Sequence, residues 1–264
     1  MSRNFELLQQ ADGMMNGPVA VAAPAPAPVP ESEPLGWTAP VETADVAAST
    51  LPQMEERSRE QMSKLVRQLF QSPSGGRAVV LAGVESGNGG TWMTVNCARL
   101  LAAQARGPVC VVDGNLRTPA LHDQFHVSNH HGLSDLLRQG GSIGNYLQRL
   151  EGSRNLWLLS CGSQIGPEGP GPLLSLEALR TRIQELRAGF EYVVIDAPAI
   201  SQYEDAIVLG QAADGVALVI AEQNTRKESA RHAVEELGKA NVRVLGAVLN
   251  KRTFPIPQKL YDRL

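Results

Sequence analysis

Six short apolar runs punctuate the chain: Ala78–Ala82, Val109–Val112, Leu156–Leu159, Tyr192–Ile195, Val216–Ile220 and Val242–Val248. Runs of this length without polar alternation suit strands buried on both faces. Between them, Thr91–Ala105, Leu133–Arg138, Leu174–Ala188, Tyr203–Gln211 and Arg226–Ala240 space their apolar residues along one side of a helix. The alternation predicts an α/β fold, a mostly parallel sheet with helices on both faces. Ligands of such sheets sit beyond the carboxyl ends of the strands, so chemistry is expected just after each run.

Upstream, residues 53–70 (QMEERSREQMSKLVRQLF) place Met62, Leu65, Val66, Leu69 and Phe70 on one helical face, and Ser72-Pro73-Ser74-Gly75-Gly76 ends that helix. Residues 17–52 turn to Ala, Pro, Val and acidic residues, which predicts an extended, disordered linker. Residues 1–16 can form a short helix with Phe5, Leu7 and Leu8 near one side, marginal alone, and are expected to act as a tethered docking segment. The expected organisation is a docking segment at 1–16, a linker at 17–52, one domain at 53–252 and a tail at 253–264.

Composition narrows the classes. An apolar fraction of 43% over 264 residues supplies a real core. A net charge of −3 and a pI of about 6.0 give no electrostatic reason to expect nucleic acid as a partner. Cys97, Cys110 and Cys161 lie far apart beside apolar runs, which reads as buried reduced thiols. His122, His126, His130 and His131 lack the Cys or carboxylate spacing of a metal site. No apolar run is long enough to cross a bilayer, so a cytoplasmic protein is expected, reaching a membrane only through a partner.

The candidate chemistry centres on Arg77–Asn96 (RAVVLAGVESGNGGTWMTVN). An apolar strand, the turn Gly87-Asn88-Gly89-Gly90, then Thr91 and Trp92 opening a helix, is the layout of a phosphate-binding loop, where backbone amides and a helix N-terminus face an anion. The pattern G-x-x-x-x-G-K-[ST] expects lysine at position 90, and this chain has glycine. Two other runs end in aspartate, Asp113 and Asp196. One strand-end aspartate is a weak signal, since such residues often cap the next helix. Two beside a phosphate loop suggest a magnesium–nucleotide site, with Thr91, Asp113 and Asp196 as the oxygen ligands.

These residues resemble the bacterial tyrosine kinase family of capsule and exopolysaccharide synthesis, within the wider group of P-loop ATPases that holds the septum-site and partition proteins. The resemblance runs from about Gln53 to Arg252. It is most specific over Val109–Leu137 (VCVVDGNLRTPALHDQFHVSNHHGLSDLL), where the family has D-x-D-x-R-x-P followed by G-L-S-D-L-L. Asp113, Arg117, Pro119 and Gly132 to Leu136 match. The stretch 190–200 (FEYVVIDAPAI) is similar to the family's Walker B strand, with Asp196 as its acidic residue. Asp205, Asp214, Thr225 and Leu245–Asn250 also fit, and the resemblance implies that Asn250 lies near the adenine. Met1-Ser2-Arg3 with Glu6 and Leu7 is similar to the start of some exopolysaccharide-linked members. The resemblance implies ATP and Mg2+ as cofactors. It implies a membrane polysaccharide co-polymerase or export protein as partner, and possible homo-oligomers.

The departures fall at chemical positions. Gly90 replaces the lysine, Trp92 a small hydroxyl residue, and Asn115 the second aspartate of D-x-D. Trp92 either packs between helix and sheet or fills part of the nucleotide pocket. The oligomer-forming E-x-x-R-x-x-R aligns with Glu60, Ser63 and Val66, without either arginine. Glu85 stands where partition-type relatives place a second lysine. The run after Arg252 holds one tyrosine, Tyr261, where active relatives typically carry a cluster. Removing one preorganised charge from a phosphoryl-transfer site costs roughly 3–4 kcal/mol. The expectation is a catalytically impaired regulator of exopolysaccharide synthesis or export, with Asp113, Asn115 and Asp196 in the positions of the catalytic acids. The binding set is Gly87, Asn88, Gly89, Gly90, Thr91, Trp92, Arg117 and Asn250. The alternatives are an active autokinase using a displaced cation, from Lys64, Arg117 or a partner's arginine, and a positioning ATPase.

Overall fold

The computed structural model describes residues 56–153, 155–163, 169–222 and 225–251. The expected docking segment, linker and tail lie outside the described residues. Helix α1 (Glu56–Val66) passes into a π turn at Arg67–Gln71. Strand β1 (Ala78–Gly83) then leads through the glycine loop to α2 (Gly90–Gln104) and β2 (Val109–Asp113). Next come α3 (Leu121–Phe125), α4 (Leu133–Gln139), β3 (Leu147–Arg149) and β4 (Leu156–Leu159). The chain continues with α5 (Leu176–Gly189), β5 (Tyr192–Ala197), α6 (Asp205–Ala212), β6 (Val216–Ala221), α7 (Lys227–Lys239) and β7 (Val244–Asn250).

The seven strands form one sheet in the order β3-β4-β2-β5-β1-β6-β7. Every neighbouring pair is parallel except β3 with β4, so the expected mostly parallel sheet stands. Strict alternation along β1 explains the two layers. Ala78, Val80 and Ala82 join one core with Leu179, Ile183 and Leu186 of α5, Leu209 of α6 and Leu237 of α7. Val79 and Leu81 join the other, with Met62 and Val66 of α1 and Met93, Cys97 and Leu101 of α2. Val66, aligned with an arginine of the oligomer motif, is fully buried here. All three cysteines are buried and free.

Three features differ from the sequence reading. The antiparallel edge strand β3 carries no apolar run, because its outer side meets solvent. The short α3 has no counterpart among the predicted elements. The last strand extends to Asn250 rather than ending at Val248, which places that residue at the top of the sheet.

The G-L-S-D-L-L segment has a structural explanation. Asp135 Oδ2 accepts the Gly132 amide at 2.9 Å, capping α4, and the Ser163 amide at 3.3 Å. The amides of Leu133 and Ser134 donate to the carbonyls of Ser160 and Cys161, each at 2.8 Å. This clamps α4 onto the end of β4. The approach is so close that a Cβ on Gly162, at φ +85°, would collide with Asp135 Oδ2. Gly162→Ala is expected to lower stability by about 2 kcal/mol or more. Gly238→Ala, in open space within α7, is expected to raise it by about 0.5 kcal/mol. Paired denaturant titrations check both.

Candidate functional site

The glycine loop leaves β1 at Gly83 and is held from three sides. Asn88 turns inward, and its Oδ1 accepts the Glu85 amide at 2.9 Å and the Thr225 hydroxyl at 3.0 Å. Its carbonyl accepts Asn250 Nδ2 at 2.9 Å. From the loop after β5, the amides of Ile200 and Ser201 donate to the carbonyls of Gly83 and Val84 at 3.0 and 3.1 Å. Gly87 and Gly89 take φ of +79° and +89°, which only glycine adopts without strain. A Cβ at Gly89 would also strike Asn250 Nδ2. The first amides of α2 have no partner within the helix and complete the anion-binding nest.

Beside the nest, β2 and β5 end in register, so Asp113 and Asp196 are direct neighbours. Both are fully buried. Asp196 Oδ2 accepts the Thr91 hydroxyl at 2.7 Å, and its Oδ1 accepts the Thr94 hydroxyl at 2.9 Å. Asp113 Oδ2 accepts the amides of Ala120 and Leu121 at 3.2 and 3.1 Å. Asp113 Oδ1 is buried without a hydrogen-bond partner among the described residues. Burial pushes the Asp113 carboxyl up to about 6 against the pull of those amides. Burial, then the neighbouring Asp113 charge, pushes Asp196 up to about 7 against its two threonines.

The donor set fits a magnesium ion: hard oxygens, one of them an orphaned carboxylate oxygen, with a hydroxyl at the helix start. Among the described residues no group of three or more His, Cys, Asp or Glu is placed to hold a metal. An ion here therefore needs Thr91, water or phosphate oxygens to complete its shell.

No protein-family model matches the chain. Over 174 residues it is 32% identical to the tyrosine-protein kinase YwqD of Bacillus subtilis, covering 66% of this chain and 72% of that protein. The chain belongs to the bacterial tyrosine-protein kinase family of capsule and exopolysaccharide synthesis. The putative tyrosine-protein kinase CapB of Staphylococcus aureus is 30% identical over 175 residues, 66% of this chain and 75% of that protein. The Escherichia coli tyrosine-protein kinase etk is 29% identical over 65% of this chain but only 23% of its own length. Among solved structures, the chimerical protein CapA2B2 superposes with a TM-score of 0.68 at 25% identity, covering 77% of this chain and 88% of that one. The septum site-determining protein MinD of Pyrococcus horikoshii, complexed with Mg-ADP, shares the fold at a TM-score of 0.56 and 21% identity, over 70% of this chain and 75% of that one.

In a kinase-family loop the phosphate charge must be met by a cation, and the described residues offer few. Arg117 forks onto Asp205, with Nε to Oδ2 at 2.7 Å and Nη2 to Oδ1 at 3.1 Å, and its guanidinium lies 3.9 Å over the Tyr203 ring. Lys64 pairs with Glu60 at 2.8 Å on the exposed side of α1. Asn115 folds back on its own loop, its amide donating to Thr118 Oγ1 at 3.1 Å and its Oδ1 accepting the Thr118 amide at 3.2 Å. Trp92 is 46% exposed on the first turn of α2, so it does not pack between helix and sheet. Asn250 grips the loop through the Asn88 carbonyl.

The structure thus brings Gly87–Thr91, Asp113, Asp196 and Asn250 together, with Arg117 on Asp205 and Asn115 on Thr118. Sequence reasoning did not select Thr94. Its position one helical turn after Gly90, on the same side of α2, was the available signal.

Both aspartates have folded pKa values above the free carboxylate value, so these two groups bind more protons in the folded chain than in the unfolded one between about pH 4 and pH 7. Their contribution is fully present at the acid end and is lost as pH rises through the folded values. Asp113→Asn removes one of these titrations. Melting temperatures at stepped pH are expected to fall less steeply over that window in the variant than in the wild type.

Proposed function

We propose that this chain is a catalytically impaired member of its kinase family that regulates exopolysaccharide or capsule synthesis or export. It acts in the cytoplasm, at the inner membrane through the cytosolic segment of a polysaccharide co-polymerase or export protein. The cradle takes ATP and Mg2+, with Thr91, Asp113 and Asp196 holding the ion, and transfers phosphoryl groups poorly if at all. One observation carries this reading: Gly90 stands where the loop needs its lysine, and the nearby arginine is committed to Asp205. Bound magnesium supplies charge to the phosphates, while this chain's own residues supply the nest of amides and the buried carboxylates.

The retained Thr91, Asp113 and Asp196 favour a second reading, a working autokinase that receives its cation from a partner. Purified full-length chain incubated with labelled ATP and Mg2+ separates the two. Incorporation no greater than that of Asp113→Ala is expected, and clear turnover abolished by that substitution overturns the proposal.

Restoring the lysine alone is not expected to restore turnover. A Cβ at position 90 would lie 3.2 Å from the Gly83 amide nitrogen, so the top of β1 must give by a few tenths of an ångström. Position 115 still lacks its negative charge. Asn115→Asp keeps the acceptor that Thr118 uses, so the fold tolerates it. The double variant Gly90→Lys, Asn115→Asp is expected to exceed the single one in the same labelled-ATP assay by about tenfold or more, since one preorganised charged group is worth at least that in such sites.

A further inference from the structure

Thr94 lies outside the phosphate-loop motif, yet it is fully buried and its hydroxyl is aimed at the carboxylate pair. It reaches Asp196 Oδ1 at 2.9 Å and the Gly90 carbonyl at 3.1 Å. Thr91 holds the other Asp196 oxygen at 2.7 Å. Two donors on successive positions of one helical side grip both oxygens of a single carboxylate. One such contact leaves the carboxylate free to turn about it, while two define its plane.

The consequence for the pair is an asymmetry. Asp113 Oδ2 is occupied by two amides, both Asp196 oxygens by hydroxyls, and Asp113 Oδ1 alone is buried without a partner among the described residues. Of the four oxygens, it is the one with no protein donor on it, and so the most open to a cation. The side-chain donors on Asp196 are neutral hydroxyls, and with Gly90 in the loop no ammonium side chain comes from that position.

We propose that Thr94 is a positioning residue for the magnesium–nucleotide site, orienting the Asp196 carboxylate from α2 with a neutral donor. This rests on the reading above that the cradle takes a magnesium nucleotide. A purely structural threonine would spend its one proton on the Gly90 carbonyl alone, the 3.1 Å back-bond that helix threonines commonly make. Its loss would then weaken the fold, or every ligand equally.

The test uses the full chain as wild type, Thr94→Val and Thr94→Ser. ADP binding is measured calorimetrically with Mg2+ and with EDTA, and Mn2+ binding alone by paramagnetic resonance, with melting temperatures alongside. Thr94→Val is expected to weaken Mn2+ and Mg-ADP by about ten- to a hundredfold, the effect of one hydrogen bond to a charged group. ADP binding in EDTA should stay unchanged, and Thr94→Ser should restore the metal-dependent part. Wild-type affinity for Mn2+ and Mg-ADP in the valine variant overturns the proposal, as does a parallel loss with and without metal. A wild type that binds Mn2+ but no nucleotide sinks the nucleotide reading alone, and the Mn2+ comparison then decides the role of Thr94. A wild type that binds neither sinks both.

Discussion

Two neighbouring buried carboxylates lose water and repel each other, and the top of this molecule is arranged around that constraint. Parallel register puts Asp113 and Asp196 side by side. Both then need donors, and the nearest come from opposite directions. The loop before α3 turns its amides onto Asp113, and α2 turns two hydroxyls onto Asp196. Those contacts tie the glycine loop's helix to the central strands. They offset only part of the burial, as the raised carboxyl values of both aspartates show.

The same economy of neutral groups holds the loop itself. Asn88 is bonded by a backbone amide, a hydroxyl and a side-chain amide, and none of these is charged. In a loop of this kind the lysine would serve the ligand, while the shape is set by backbone conformation and amide contacts. That separation explains how Gly90 can be present in an intact cradle. A nest of amides by itself binds an anion but does not follow charge as it moves in a transition state.

Much of this was legible in the sequence, for identifiable reasons. Strands buried on both faces write themselves as apolar runs, so β1, β2, β4, β5 and β6 were each placed within one or two residues. The glycine loop and both aspartates were found because motif spacing encodes the backbone path. The edge strand β3 was missed because half-exposed, three-residue strands leave no such run. The contacts of Arg117 with Asp205 and Tyr203 were not legible, because those partners lie more than eighty residues downstream and no local pattern records such a pairing. Thr94 escaped for a related reason: its importance comes from a strand reached only after three intervening strands have been laid down.

Arg117 is engaged within the fold on two sides. A bidentate pair to a buried carboxylate is among the stronger and more directional contacts a guanidinium makes, and stacking on Tyr203 adds to it. Moving that arginine to a phosphate would leave Asp205, itself largely buried, as an uncompensated charge at the start of α6. The penalty of stranding Asp205 offsets much of what the phosphate contact would bring. The arginine therefore acts as a strut between the loops that follow β2 and β5, the two that carry the aspartates. Its fork onto Asp205 ties the start of α6 to the loop after β2 and engages that guanidinium within the fold.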